Sequence, residues 1–240
     1  MPEKKIKTEC DRCGTCCTKG GPTLHCEDRT LLLNNWLHLE HLITIRKGEP
    51  VSPLSNSNPE PAQSEMIKIK GRGAEWTCLF LQQKENKCLV YEHRPLECAL
   101  LKCWETSGLE KVAGRDLLSR FAIIATHDPI FPLMKKHENI CSLENLPRIL
   151  SALGSRNSQQ SAVTELTGLV NTDLAIRSQA FARFHVSLDL ELFFFGRPLF
   201  KILDQFGITT HEKNGFCRLE LPASLPSAML SNLFAANQNR

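Results

Sequence analysis

Four thiols fall within eight residues near the start of the chain, Cys10-Asp11-Arg12-Cys13-Gly14-Thr15-Cys16-Cys17. A CxxC step lets one turn of backbone aim two sulfurs at a single ion, and two overlapping steps offer three, from Cys10, Cys13 and Cys16. Gly14 lacks a Cβ, so it permits a positive φ and brings backbone N–H groups close to the thiolates. Adjacent side chains diverge, so Cys16 and Cys17 are expected to serve different sites, or only one of them to be a ligand. Cys78, Cys88, Cys98 and Cys103 bring the candidate ligands to eight.

Three sulfurs from the run plus one distant thiolate suit a four-iron cluster, while eight cysteines also suffice for two tetrahedral zinc sites. Zinc ribbons use two separated CxxC knuckles, and here there is one such run, so a 4Fe–4S centre is the first reading and zinc the alternative. An all-cysteine cluster is anionic, which gives Arg12, Lys19, Arg94 and Lys102 a possible role beside it; the bland alternative is ordinary surface charge.

These sulfurs need supports. Gly20-Gly21-Pro22 ends the run in a turn. Asp28 reads as the cap of a helix that buries Leu31, Leu32, Leu33, Trp36 and Leu37. Beside it Cys26 reads as a small buried hydrophobe, and His25, His38 and His41 as packed or surface imidazoles. Residues 43–46 and 66–70 alternate as strands on either side of a proline- and serine-rich surface loop at 50–64. Segments 78–81 and 88–91 read as one hairpin. Pairing Leu81 with Cys88 would set Cys78 opposite Tyr91, placing the two sulfurs at opposite ends of the ladder. Pro95 opens a helix carrying Cys98 and Cys103. Five residues turn a helix by about 140°, so these sulfurs converge only if the helix ends or bends between them.

Together, Cys10-x-x-Cys13-Gly14-x-Cys16-Cys17, Trp76-x-Cys78-x-Phe80-Leu81 and Cys88-x-Val90-Tyr91-x-x-Arg94-Pro95-x-x-Cys98 resemble the YkgJ-like CxxCxxCC cysteine-cluster family across roughly residues 10–105. Members of that family are described as zinc- or iron-chelating and are often labelled iron–sulfur oxidoreductases. The resemblance implies ligation by Cys10, Cys13, Cys16, Cys17, Cys78, Cys88 and Cys98, with Cys103 as a further candidate. Arg12, Gly14 and Arg94 are expected close to the bound group, Arg12 by its charge, Gly14 by its missing Cβ and Arg94 also by its place before Pro95 in the resemblance. Ala99 stands where many members carry an arginine.

Beyond Trp104 a helical period takes over. Leu117, Leu118, Phe121, Ile124 and Ala125 mark one face, and Val163, Leu166, Val170, Leu174, Phe181 and Phe184 another. The run 188–195 stops at Gly196, with Phe193, Phe194 and Phe195 read as core. Pro198 opens a helix with Leu199, Ile202, Leu203 and Phe206 inward and Gly207 as its stop. Asn214-Gly215 predicts a hairpin turn before a strand at 216–221, and 227–236 a last short helix. Cys141 and Cys217 read as structural. The expected fold is α+β, with a metal-nucleated cysteine-rich module of short strands over residues 1–105 and a mainly helical part over 106–240 packed on it.

A hydrophobic fraction of 42%, a charged fraction of 23% and a mean hydropathy of −0.22 are those of a soluble globular protein. No apolar run follows the basic residues at the N-terminus, and 190–195 is too short to span a bilayer, so a cytoplasmic location is expected. In a reducing cytosol, eleven cysteines favour thiolate ligands over disulfides. Lys68, Lys70 and Arg72 form a small basic stretch, but a net charge of +3 and a single tyrosine argue against a nucleic-acid binder. No GxSxG, HExxH or P-loop is present, and Gly71-Arg72-Gly73 lacks the third glycine of a dinucleotide fingerprint. The reading is a cluster protein with a redox or electron-transfer role and a redox or protein partner. The alternatives are a zinc-stabilised interaction module and metal delivery.

Overall fold

The computed structural model describes residues 10–51, 59–213 and 216–223. The chain divides into two compact units, one from residues up to Ile43 and from Met66–Ile123, the other from Thr44–Glu65 and from Ile124 onward. The first carries the candidate ligands Cys10 to Cys103.

Helix α1 (Arg29–Leu33) is one turn and a half, far shorter than the expected helix. Asn35 takes a left-handed φ of 57°, and Trp36 and Leu37 both donate back to the carbonyl of Leu31, which ends the helix. Leu31 and Leu37 are buried, whereas Leu33 and Trp36 are exposed; the indole of Trp36 stacks on His93 at 3.6 Å. Strand β1 (Leu42–Ile45) is buried at all four positions instead of alternating. β2 (Pro50–Val51) pairs with β3 (Glu60–Pro61) inside the stretch expected to be a loop, of which 52–58 lie outside the described residues.

β4 (Met66–Ile69) buries Ile67 and Ile69 and lies along residues 22–24, with Leu24 N–H donating to Ile67 O and Ile69 N–H to Pro22 O. β5 (Gly71–Arg72) pairs with β6 (Thr77–Cys78), and β7 (Leu81–Gln82) with β8 (Lys87–Cys88). Leu81 does face Cys88, but the single hairpin expected across 78–91 is two. Cys78 is opposite Gly71, and Tyr91 begins a 3-10 turn. Three short helices follow, α2 (Leu96–Leu100), α3 (Ser107–Val112) and α4 (Arg120–Ile123). The helix expected from Leu117 is cut to α4 because 117–118 is extended, with Leu117 bridging His25 and Leu118 N–H donating to Leu24 O.

The second unit is mainly helical: α5 (Phe131–Ile140), α6 (Leu146–Leu153), α7 (Gln159–Phe184), α8 (Leu188–Phe195) and α9 (Leu199–Leu203). A hairpin of β9 (Thr209–Lys213) and β10 (Phe216–Glu220) follows. Its turn residues, Asn214 and Gly215, and the expected helix at 227–236 lie outside the described residues. Leu150, Leu166, Val170, Ile202, Leu203 and Phe206 belong to one buried cluster, and Cys217 and Leu219 of β10 pack against it. Phe193, Phe194 and Phe195 are core. Phe181 is not inward: it is 65% exposed, and Asp173 and Arg177 hold part of the buried face of α7. No helix of the described residues is long and apolar enough to cross a membrane.

Candidate metal centre

The cysteine loop is shaped by Gly14, whose φ is +77°. Its carbonyl accepts from Cys17 N–H (2.9 Å) and Thr18 N–H (3.1 Å), opening the 3-10 turn Cys17–Lys19. A Cβ at Gly14 would lie 3.2 Å from Asn86 Oδ1 and 3.5 Å from Leu81 Cδ1, so glycine lets the loop seat against the β7–β8 hairpin. The same turn packs on β6, which carries Cys78. A little further on, a Cβ at Gly21 would meet Ile69 O at 2.2 Å, so this backbone presses directly on β4.

Cys98 is placed by a polar cluster on the segment before α1. Asp28, expected to cap the helix that follows it, instead accepts from His25 N–H (2.8 Å) and from Leu96 N–H (2.8 Å), the first residue of α2. Glu97 Oε2 accepts from Thr23 N–H at 2.7 Å, and its other oxygen lies 3.5 Å from His25 Nε2. His25 Nδ1 is 2.8 Å from Arg115 O, so this imidazole is a packed structural residue, as expected. Cys26 is not buried as expected: it opens the 3-10 turn Cys26–Asp28 and is exposed, with its thiol 3.7 Å from Leu117 O.

Five cysteines from four stretches of chain are linked through their charges: Cys78 and Cys98 each feel Cys16 and Cys88, and Cys17 feels Cys16, Cys78 and Cys98. Cys16 Sγ and Cys17 Sγ are 3.8 Å apart. The Cys17 thiol stabilises a Cys16 thiolate and lowers it to about 6, with the Arg94 guanidinium adding to the effect. Cys17 is correspondingly raised, and the charges of Cys16, Cys78 and Cys98 raise it further. Burial pushes Cys78 and Cys98 up, and each also feels Cys16 and Cys88. Cys78 and Cys88 are therefore not held apart at two ends of a ladder. The break between β6 and β7 turns the chain at Leu79 and Phe80, where Leu79 N–H donates to Lys70 O and Leu89 N–H to Phe80 O.

Cys10, Cys13 and Cys103 are exposed. Cys10 Sγ accepts from Arg12 N–H at 3.3 Å, and Cys13 Sγ lies 3.2 Å from Thr15 Oγ1. Helix α2 ends at Leu100, before Cys103.

Cations border the grouped sulfurs. Arg94 Nε donates to Tyr91 O (2.9 Å), and the guanidinium groups of Arg94 and Arg12 lie 4.0 and 4.4 Å from the centroid of the Tyr91 ring. Arg72 donates to Leu79 O and acts on Cys78. Lys68 acts on Cys78 and Cys98. Lys19 and Lys102, named beside the cluster from sequence, are exposed. Sequence reasoning gave Lys68 and Arg72 no part in the site. The alternation of 66–70 marked a strand but not what the lysine side of it would meet.

Among the described residues, one set of three ligand atoms lies mutually within 4.8 Å: those of His137, Cys141 and Asp173, buried in the second unit. Asp173 accepts there from His137 Nε2 (2.6 Å), Arg177 Nε (3.0 Å) and Leu199 N–H (2.9 Å), and Arg46 donates to Cys141 O. Two guanidinium groups and a saturated carboxylate suit a buried structural network better than a cation.

Residues 9–115 match the family model CxxCxxCC, a putative zinc- or iron-chelating domain, and the match supports metal binding. Comparison with curated proteins and with solved structures finds no match.

Proposed function

With residues 9–115 matching the CxxCxxCC family model, we propose that this domain holds a cysteine-ligated iron–sulfur centre on Cys16, Cys78, Cys88 and Cys98 and serves a redox or electron-transfer role. The observation that carries the reading is the grouping of these sulfurs from the cysteine loop, β6, β8 and α2 around each other's charge. Zinc with bonds of about 2.3 Å draws four sulfurs to roughly 3.8 Å of one another. Among the described residues no three cysteine sulfurs lie within 4.8 Å of one another, so no tetrahedral zinc site is preformed on them and the multi-iron core stays the first reading. Such a core supplies one-electron exchange when bound. The chain's own residues hold it, shield Cys78 and Cys98 from water and place cations beside it.

One observation favours zinc as the second reading: the Cys16 and Cys17 sulfurs already stand at the separation zinc-bound thiolates adopt. Cys17 then replaces one ligand of the set, and the module is an interaction domain folded around its ion. Cys10, Cys13 and Cys103 are the thiolates available to a second centre.

Anaerobic purification of the full chain, with iron, zinc and acid-labile sulfide analysis, tests the proposal. Iron with sulfide, and visible absorbance bleached by dithionite, is the expected result. Serine at Cys78 or Cys98 removes both iron and colour. Stoichiometric zinc without sulfide selects the second reading, and a chain that retains neither metal overturns both.

A further inference from the structure

Lys68 leaves β4 between Ile67 and Ile69, on the opposite side of the strand from those two buried residues. Its Nζ donates to Thr23 Oγ1 at 3.3 Å, and the two residues face each other across an antiparallel bridge. Thr23 in turn gives its N–H to Glu97 Oε2 at 2.7 Å, and Glu97 precedes Cys98. The ammonium is thereby fixed at the place where β4, residue 23 and the start of α2 meet, within electrostatic reach of Glu97, Cys98 and Cys78. A solvated strand lysine would keep its charge in water, whereas burial works against this one and the neighbouring anions work for it.

The other cations of the site have their own sulfurs. Arg72 acts on Cys78, and Arg94 on Cys16. Burial and the neighbouring sulfurs weigh most against a Cys98 thiolate and the adjacent Glu97 carboxylate adds to them, so this thiolate needs a positive neighbour. Lys68, Arg72, Arg94 and Arg12 set against Glu97 leave a surplus of positive charges beside the sulfurs. Four thiolates around a divalent ion, or around an oxidised four-iron core, leave two negative ones.

We infer that Lys68 is a positioning residue of the metal centre: its ammonium, held by Thr23, is the fixed counter-charge of the Cys78 and Cys98 thiolates and sets how tightly the centre is bound. The inference rests on the thiolate reading above. It extends that reading to a residue outside the cysteine pattern, and it holds for either metal because only the charge of the thiolate shell enters.

The test uses the full-length chain, reduced and metal-free, titrated anaerobically with Co2+ against a competing chelator and followed by the thiolate-to-cobalt charge-transfer band. Wild type, Lys68→Met, Lys68→Gln and Lys68→Arg are compared. Lys68→Met and Lys68→Gln are expected to weaken Co2+ binding by about tenfold, the lower end of what outer-shell partners contribute, and Lys68→Arg to stay within about twofold of wild type. Thermal melts of the metal-free variants separate this from damage to the fold. Removing one partner of a partly buried charge set can lower the metal-free melting temperature as well, so affinities are compared at a temperature where all four metal-free proteins are folded, and a lost fraction of fold does not enter. Lys68→Gln keeps a hydrogen-bond donor for Thr23 without the charge; wild-type affinity in it overturns the inference, even if Lys68→Met does not fold. If wild type gives neither a cobalt charge-transfer band nor visible iron–sulfur absorbance after anaerobic reconstitution with Fe2+ and sulfide, the thiolate centre itself is wrong and the inference falls with it; an iron–sulfur spectrum without a cobalt band moves the comparison of the four proteins to iron retained against the same chelator. A wild-type band with equal affinities in all four proteins sinks the role of Lys68 alone.

Discussion

The backbone N–H of Leu96 donates to Asp28 Oδ1 at 2.8 Å, so a carboxylate from far upstream caps the helix that carries Cys98. The other oxygen of Asp28 takes the N–H of His25. Replacing Asp28 with alanine strands two backbone donors in a partly buried site. The expected cost is about 2 kcal/mol, read as a lower urea midpoint of the metal-free chain. Weaker metal retention should accompany it, because α2 loses the anchor that holds Cys98. An unchanged midpoint would show that the contact is not maintained in solution.

Cys16 is exposed, and its thiol is lowered to about 6 by the Cys17 hydrogen bond, with Arg94 contributing. In metal-free protein at pH 7 it is expected to be the first cysteine to react with iodoacetamide, at least tenfold faster than Cys78 and Cys98, which burial pushes up. Peptide mass spectrometry over a time course reads the order. Metal loading should abolish the Cys16 advantage, and preferential labelling of Cys78 would contradict the arrangement.

In the second unit, burial pushes His137 down to about 4 against the pull of the Asp173 hydrogen bond. Burial also opposes ionisation of Asp173, yet His137 and Arg177 hold it at about 2. An unfolded chain protonates the imidazole near 6.5 and the carboxylate near 3.9. The unfolded state therefore binds more protons as pH falls, and the stability from the neutral imidazole, complete above roughly pH 6.5, is lost toward pH 4. The aspartate adds a second loss as pH falls through its folded value of about 2. Hydrogen exchange of amides in α5 and α7, compared at pH 7 and pH 4.5 after correction for intrinsic rates, should show the first loss; equal protection at the two values would exclude it.

Gly21 and Gly73 make a matched pair of alanine tests. A Cβ at Gly21 would sit 2.2 Å from Ile69 O, whereas one at Gly73 meets nothing within 4 Å and suffers only from its φ of +67°. Gly73→Ala should cost about 1 kcal/mol and Gly21→Ala about 3 kcal/mol or more, enough to release the cysteine loop from β4. Circular dichroism melts rank the two. The reverse order would mean that the loop does not press on β4 as described.

The parts of the fold legible in the sequence are those written as long periods. Helix α7, the stop at Gly207 and the alternation of Cys217 with Leu219 all follow from side-chain spacing over many residues. The first unit hides more because its elements are two to six residues long and are set by distant partners. Nothing local to Asp28 says that it will cap α2 in place of α1. Nothing local to Leu117 says that it will lie extended beside His25. The pairing of Leu81 with Cys88 could be guessed, but not the break that brings Cys78 round toward Cys88. Lys68 escaped for the same reason: a strand pattern tells which residues share a side, and only the folded chain shows that this side meets Thr23, which is bonded to the start of α2.

The grouped cysteines come from widely separated stretches, the loop at Cys16 and Cys17, then Cys78, Cys88 and finally Cys98. An inorganic centre joining them acts as a cross-link that ties the beginning of the module to α2. It removes from the unfolded chain a search whose entropic cost grows only slowly with the distance spanned. During synthesis that tie could close only after Cys98 has emerged, so a centre on these residues would be a finishing step and not a seed for the first turns.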